Sequence, residues 1–485
     1  MSAKQDIPPG DHKLRSNVLG LFESSIMGIA GSAPAYSIAA TTVTLALTVG
    51  LFGPGELFYS GIAMFGVVVA FHYMGKHRQN AGATYIWVRN ALHPILGYLA
   101  GWSLVTASII FGMVSTVPAS TSLLSLFTSN DKIISNVHWT TLVGVIIFLI
   151  MVAIIAVGIK FTAKAQVLMT VIELGLLWIF DILALFHHPK THHFSLSWFS
   201  FNSIKSYSIP SSVLGSTQTP FDVKYVTAHG LSAILIGAVS GAFFYWGWDV
   251  TANLNEETKD GHKTAGQGGI IGTLFVAFTF LLTLVSINLV LSDATLSTSG
   301  SVLSAFAAAL IPGWFGKLIV VSVLLSTVAT IETQMIQVTR TLFSMGRDKT
   351  LPQSMGKVHT NFKTPWNATL FHCICVALLY WFAICIQRKQ HRTIRCCRDW
   401  NPDLLLLRLG RAQRHRVVSP LRAQERQELR FLGSLATDVW RLFDRRSLQG
   451  NPNIDSPCFV GWRWHRGAWH HSDGNLLDSR IGVFR

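Results

Sequence analysis

Gly28-Ile29-Ala30-Gly31-Ser32-Ala33-Pro34-Ala35-Tyr36 sits in the middle of an apolar run that would otherwise read as one helix. Pro34 has no amide hydrogen, and its ring clashes with the preceding turn. Gly31, with Ser32 and Ala33 beside it, lets the backbone open. In lipid an unsatisfied backbone group is expensive, so such an opening survives only where it lines a cavity. It leaves amides at the start of the outer half-helix and carbonyls at the end of the inner one. Those termini attract an anion and a cation respectively. The plainer alternative is an ordinary proline kink.

A second stretch answers the first. Phe243-Phe244-Tyr245-Trp246-Gly247-Trp248-Asp249 puts an aromatic cluster, a glycine and a carboxylate inside another apolar run, followed by Asn253, Asn255, Glu256, Glu257, Thr258 and Lys259. Aromatics alone read as core packing. The glycine and the acid at membrane depth point instead to a second break and to a functional site. Glu256 and Glu257 fall at the end of the run, where a solvated position is expected.

About 20 mostly apolar residues are needed to cross the hydrocarbon core. Eight or nine runs qualify: 18–50, 56–76, 95–127, 138–159, 163–186, 228–254, 268–291, 315–345 and, most weakly, 365–386, with an amphipathic piece near 84–92. They read as helices, because lipid-exposed backbone must bond internally and the alternation of a membrane β-barrel is absent. The interruptions fall in spans one and six, corresponding positions of two five-helix units. This is the pattern of an inverted-repeat transporter with a site near the midplane. Self-similarity between the units is not visible in the residues themselves.

Only 13% of the 485 residues are charged, against about 25% in soluble proteins. The net charge of +15 therefore reads as membrane orientation rather than nucleic-acid binding. With the N-terminus in the cytoplasm of a cell-membrane protein, 15 Lys and Arg before residue 388 fall inside and five Lys (132, 190, 205, 224, 317) outside. Residues 1–17 form a polar cytoplasmic tail without a cleavable signal profile. The longest outer loop, 187–227, is rich in Ser, His and Thr and carries no enzyme motif. No nucleophile elbow, P-loop or metal-ligand cluster is present, so no enzyme activity, metal or cofactor is expected.

Span five carries Glu173 in Val171-Ile172-Glu173-Leu174-Gly175. A carboxyl buried in lipid is suited to carry a proton; pairing with a polar neighbour is the alternative. Asp181, nearer the outer end, is expected to snorkel.

The chain changes character near its end. Residues 18–370 read as the membrane domain and 371–387 as the weak ninth helix. Residues 388–485 hold one Lys and 18 Arg, whereas residues up to 387 hold 15 Lys and five Arg. All six cysteines lie at 373 or beyond, without CxxC spacing, and all ten methionines lie at or before Met355. A tail of net +10 would sit outside, against the charge rule. A shifted reading frame beginning between Leu370 and Arg388 accounts for this; a basic surface-binding domain is the alternative.

Several segments resemble amino-acid permeases of the amino acid–polyamine–organocation superfamily. Gly31-Ser32-Ala33-Pro34-Ala35-Tyr36-Ser37 is similar to their first-helix signature. Asn80-Ala81-Gly82-Ala83-Thr84-Tyr85 and Gly97-Tyr98-Leu99-Ala100-Gly101-Trp102 resemble the stretch between their helices 2 and 3. Gly247-Trp248-Asp249, Glu256-Glu257-Thr258-Lys259, residues 340–348, Leu351-Pro352 and Thr364-Pro365 resemble later signatures. The set covers about 18–370.

The resemblance implies an all-α polytopic membrane protein with a LeuT-type 5+5 inverted repeat, broken helices 1 and 6 and an incomplete second repeat, helices 10–12 being missing. An amino acid or related amine would bind between the broken helices, with helices 3, 8 and 10 lining the site. It would meet Ala30, Gly31, Ser32, Ala33 and Pro34 on one side. Phe244, Tyr245, Trp246 and Gly247 would face it on the other, with an aromatic of helix 6 as gate. Glu173 stands where many relatives have a Lys, near the place of a coupling sodium. Together with Asp249 it is the expected ion-coupling residue, with H+ as the coupling ion. The function implied is proton-coupled symport or exchange in the lipid bilayer, without nucleic acid. The alternatives are a truncated product without transport activity and a membrane-anchored protein with a basic binding tail.

Overall fold

The computed structural model describes residues 13–187, 191–201, 231–292, 295–296 and 301–398. The first twelve residues, most of loop 187–227 and the Arg-rich tail beyond 398 lie outside the described residues, together with the expectations placed on them.

The first apolar run forms two helices, α1 (Leu21–Ser32) and α2 (Pro34–Val49). Ala33 between them is left-handed, φ 49° and ψ 67°, a conformation that costs a non-glycine residue about 1–2 kcal/mol. Pro34 takes the first position of α2, where its missing amide is no loss. The chain turns through a 3-10 helix, Gly50–Phe52, into α3 (Gly53–His77). Laid straight, the 57 residues from Leu21 to His77 would reach about 85 Å. The hydrocarbon core is only about 30 Å thick, so the turn at 50–52 makes two crossings.

The amphipathic piece is α4 (Thr84–Ala91), followed by α5 (Pro94–Phe127), α6 (Val137–Val157) and α7 (Ile159–Phe186). Span six is again two helices, α8 (Leu231–Phe244) and α9 (Val250–Asn253). Then come α10 (Gly261–Val290), the short α11 (Val302–Leu310), α12 (Leu318–Arg347) and α13 (Trp366–Arg398). Among the described residues there is no strand, only an isolated bridge between Leu19 and Thr258.

Seven described stretches are long and apolar enough to cross a membrane, counting 21–77 once. Span six is not among them, because its break leaves helices of 14 and 4 residues. Ile62, Ile110, Leu149, Leu168, Ile182 and Phe278, on five different crossings, are all exposed. Such a belt suits acyl chains and not water. The protein is a multi-pass membrane protein.

At the centre is α12, buried on every side from Ala329 to Gly346 and packed on α5, α7, α1, α2 and α6. Small residues let the helices approach. A Cβ on Gly97 would lie 2.4 Å from the Arg89 side chain, and one on Gly101 would press on Met345 and Tyr85, so α5 lies close along α4.

Two acids expected near water are buried. Asp181 does not snorkel: it is fully covered, and its Oδ2 accepts a 2.7 Å hydrogen bond from Thr283 of α10. Glu257 is not solvated: it is fully buried in a two-pronged pair with Arg340, at 2.9 and 3.2 Å. In both cases a neighbouring helix supplies the donors that offset lost hydration.

Candidate functional site

The two breaks meet backbone to backbone. A Cβ on Gly31 would lie 2.1 Å from the Gly247 carbonyl oxygen, and one on Gly247 would lie 2.1 Å from that of Gly31. Gly247 also has φ +111°, open to glycine and strained for other residues. The sixth span stays wound at its break, through bonds from Trp246 N to Phe243 O (3.2 Å) and Val250 N to Gly247 O (3.3 Å). At the first break, where Ala33 alone leaves the helix, the freed groups are taken up by other helices. Thr330 of α12 donates to the Gly31 carbonyl at 3.0 Å. Ala35 N donates to Glu173 Oε1 and Tyr36 N to Ser326 Oγ, each at 3.1 Å. The amides expected to stand open at the start of the outer half-helix are thus held by α7 and α12.

Beside this junction lies a cavity of about 270 Å³, counting its open mouth. Gly31, Ser32 and Ala33 form one wall. Tyr36, Phe111, Phe243 and Trp246 form an aromatic wall, and Thr330 and Gln334 of α12 add polar groups. Gln334 is 5% exposed, and its Oε1 has no hydrogen-bond partner.

The residues singled out from sequence divide into two groups. Gly31, Ser32, Ala33 and Trp246 line the cavity. Ala30 and Pro34 are buried next to it, and Gly247 forms the backbone contact behind it. Phe244 and Tyr245 turn away and pack edge-on against Phe280, with centroids at 5.2 and 5.4 Å. The Tyr245 hydroxyl donates to Leu57 O at 3.0 Å. Glu173 and Asp249 bond different partners. Glu173 caps α2, while Asp249 Oδ2 accepts from Gln337 Nε2 of α12 at 2.5 Å and its Oδ1 makes no hydrogen bond.

The resemblance implies that helix 8, here α12, lines the site, but it singles out none of the residues of α12 that do so. Its signal is nonetheless in the sequence: Ser322, Ser326, Thr330, Gln334, Gln337, Thr341 and Ser344 recur every three or four residues through an apolar run, which is one helix face.

At the end of the bundle that carries most Lys and Arg, three of the quoted segments converge. Arg340 grips Glu257, and Arg347 grips Glu256 at 2.7 and 3.1 Å. Glu256 also accepts from Ala81 N (2.9 Å), and Asn253 Nδ2 donates to Ala81 O (2.7 Å). Ser344 and Gly82 N both donate to Asn80 Oδ1. Arg89 pairs with Asp348 at 2.6 Å. This latch ties the loop before α4, the segment after α9 and the end of α12.

The sequence profile described as amino acid permease matches residues 19–421, past the start of the Arg-rich tail. The chain belongs to the amino acid permease family. Among similar permeases, an uncharacterized amino-acid permease of Schizosaccharomyces pombe is 24% identical over 382 residues, which is 75% of this chain and 62% of that protein. The human large neutral amino acids transporter small subunit 2 is 26% identical over 149 residues, 31% of this chain and 28% of its own length. The human Asc-type amino acid transporter 1 is 27% identical over 146 residues, 30% and 28% respectively. This permease thus spans less than two thirds of the length of these relatives. A solved structure of a manganese transporter variant from Eremococcus coleocola superposes with TM-score 0.46 at 14% identity, covering 80% of this chain and 77% of that one.

Proposed function

We propose that this permease is a secondary active transporter that moves an uncharged amino acid, or a related amine, across the cell membrane by alternating access, as proton-coupled symport or exchange. The observation that carries the reading is the contact of Gly31 with Gly247 beside a small cavity: two broken helices joined through backbone at a polar pocket in an apolar bundle. The free Gln334 Oε1 suits an ammonium donor. Among the described residues, the lining has an aromatic wall and no Asp, Glu, Lys or Arg, which favours an uncharged side chain. Trp246, half-buried against Phe243, is the gate in this reading.

With the N-terminus in the cytoplasm, the latch is the cytoplasmic gate, closed here, and the substrate enters from the other side. Glu173 touches the first break directly and is the residue proposed to exchange a proton as that break rearranges. Asp249, bonded to α12 beside the second break, is proposed to answer the same change.

The test is uptake of labelled alanine, serine, leucine and phenylalanine by proteoliposomes holding the full chain, with and without an inward proton gradient. Uptake of at least one, raised by the gradient, is expected. A folded, monodisperse protein that moves none of them would select the second reading, a product that inserts but does not turn over. The Arg-rich sequence beyond 388 motivates that alternative.

A further inference from the structure

Beside the substrate cavity runs a polar seam between α7 and α12 that the reading above does not use. On α7, Gln166, Thr170 and Glu173 share one helix face, being four and three residues apart. On α12, Ser322, Ser326, Ala329 and Glu332 do the same. The helices are joined in antiparallel register. Ser322 Oγ donates to Glu173 O at 2.9 Å, and Gln166 Nε2 donates to Ala329 O at 2.9 Å and to Glu332 Oε2 at 2.6 Å. Thr170 therefore stands opposite Ser326. Gln166, Thr170, Glu173, Ser326 and Glu332 are each 0% exposed.

Four atoms in this seam lack hydrogen-bond partners: Glu332 Oε1, Gln166 Oε1, Thr170 Oγ1 and Glu173 Oε2. A second intramembrane acid thus sits about two turns along α7 from the one at the first break, with an unpaired hydroxyl between them. Such an acid is rare and marks an ion or proton path.

No described cation offsets Glu332. On α7, Lys160 and Lys164 are exposed. On α12 itself, Arg340 is held by Glu257. On the other packed helices, Glu23 of α1 caps Gly20 N, Tyr36 of α2 and Phe111 of α5 meet edge to face at the cavity, and His138 of α6 is exposed. Toward the latch the seam ends against apolar Ile155, Ile159, Ile331 and Met335.

We infer that Glu332 is a second proton-binding carboxyl, linked to Glu173 along the α7–α12 seam. The inference rests on the proton-coupled reading above. In the transfer, the O–H bond of Glu173 breaks and leaves a carboxylate. Thr170 Oγ1, which bonds neither acid in this conformation, takes that proton and releases its own to Glu332 Oε1 once the rearrangement of the first break brings the three groups within hydrogen-bond reach; an O–H bond forms there and a carboxylate becomes an acid. One proton moves toward the latch, and no other species is consumed. Gln166 holds Glu332 Oε2, so Oε1 is the atom that accepts. The apolar residues beyond keep the proton from the far side until the latch opens.

The test uses the full chain in proteoliposomes, with the panel amino acid taken up fastest, and infrared spectra of the same proteins through a pH titration. Glu332→Gln keeps an amide for Gln166 to hold but cannot take up a proton. We expect gradient-driven uptake to fall about tenfold or more and one protonated-carboxyl C=O band to vanish, as for a residue on the proton path. Thr170→Val, which is similar in volume, keeps both acids and cuts the link. It should lower gradient-driven uptake while both carboxyl bands stay, and it carries the test if Glu332→Gln does not fold. Undiminished gradient-driven uptake in either folded variant overturns the relay and leaves proton coupling standing. Reduced uptake in Glu332→Gln with every carboxyl band intact makes Glu332 structural and also overturns it. Parent uptake indifferent to the gradient removes proton coupling itself, and the relay with it.

Discussion

Gly31 and Gly247 are each other's wall. At 2.1 Å from a carbonyl oxygen, an added methyl at either position forces backbone to move. Gly31→Ala is expected to lower stability by about 1–3 kcal/mol, the usual penalty of overpacking, and to lower uptake in parallel. Thermal unfolding and proteoliposome uptake check both, and a variant matching the parent in each would separate the glycine contact from the site. Gln334 makes a different demand. Gln334→Leu removes the free Oε1. A hydrogen bond to a charged group contributes about 1.5–3 kcal/mol, so KM should rise about tenfold or more with the fold intact. An unchanged KM would place the ammonium elsewhere. The glycines could be named from sequence because glycine and proline in an apolar run have few other uses. That Phe244 and Tyr245 turn from the cavity while Phe243 and Trp246 line it could not, since four successive aromatics look alike until the turn at 245–249 sets their directions.

The latch belongs to the scale of elements. Arg340 is 1% exposed and Glu257 0%. Removing one partner leaves a buried charge uncompensated, at a cost of about 3–5 kcal/mol. Arg340→Met should therefore lower the melting temperature strongly, and Arg340→Met with Glu257→Gln should recover much of the loss. A double variant no more stable than the single one would mean that the two charges do not compensate each other. Each half of the latch was legible as a motif. What the sequence hides is that Glu257 and Arg340, 83 residues apart, meet. Two of the three acids expected at solvated positions, Asp181 and Glu257, are buried for this reason: a donor on a distant helix decides whether a carboxylate must face water. The polar stripe of α12 was legible by its spacing alone.

At the scale of the molecule, the charge distribution makes a topological prediction. A cysteine introduced for Lys349, in a chain without its native cysteines, should react with an impermeant maleimide only after the membrane is opened, because the Lys- and Arg-rich loops face the cytoplasm. Labelling in sealed, right-side-out vesicles would invert the orientation. The tail makes another. In a shifted frame from about codons 370–388, the nucleotide sequence should encode further apolar helices; stop codons throughout the other frames would establish the Arg-rich tail as the gene's own.

Sequence by itself determined that this chain crosses the membrane many times, that spans one and six are broken, and that charge gathers at one end. Those properties follow from run length, from glycine and proline within a run, and from Lys and Arg counts, all of them local. Only the tertiary structure decided that the breaks touch through Gly31 and Gly247, that Glu173 caps α2 and that Gln334 faces the cavity. It also decided that Glu332 lies in a seam with Gln166. These are contacts between residues far apart in the chain, and in a bundle of apolar helices the rotation of each about its own axis is set by its neighbours. The breaks that opened the reading of the sequence are therefore secure as breaks, and their partners are a property of the packing.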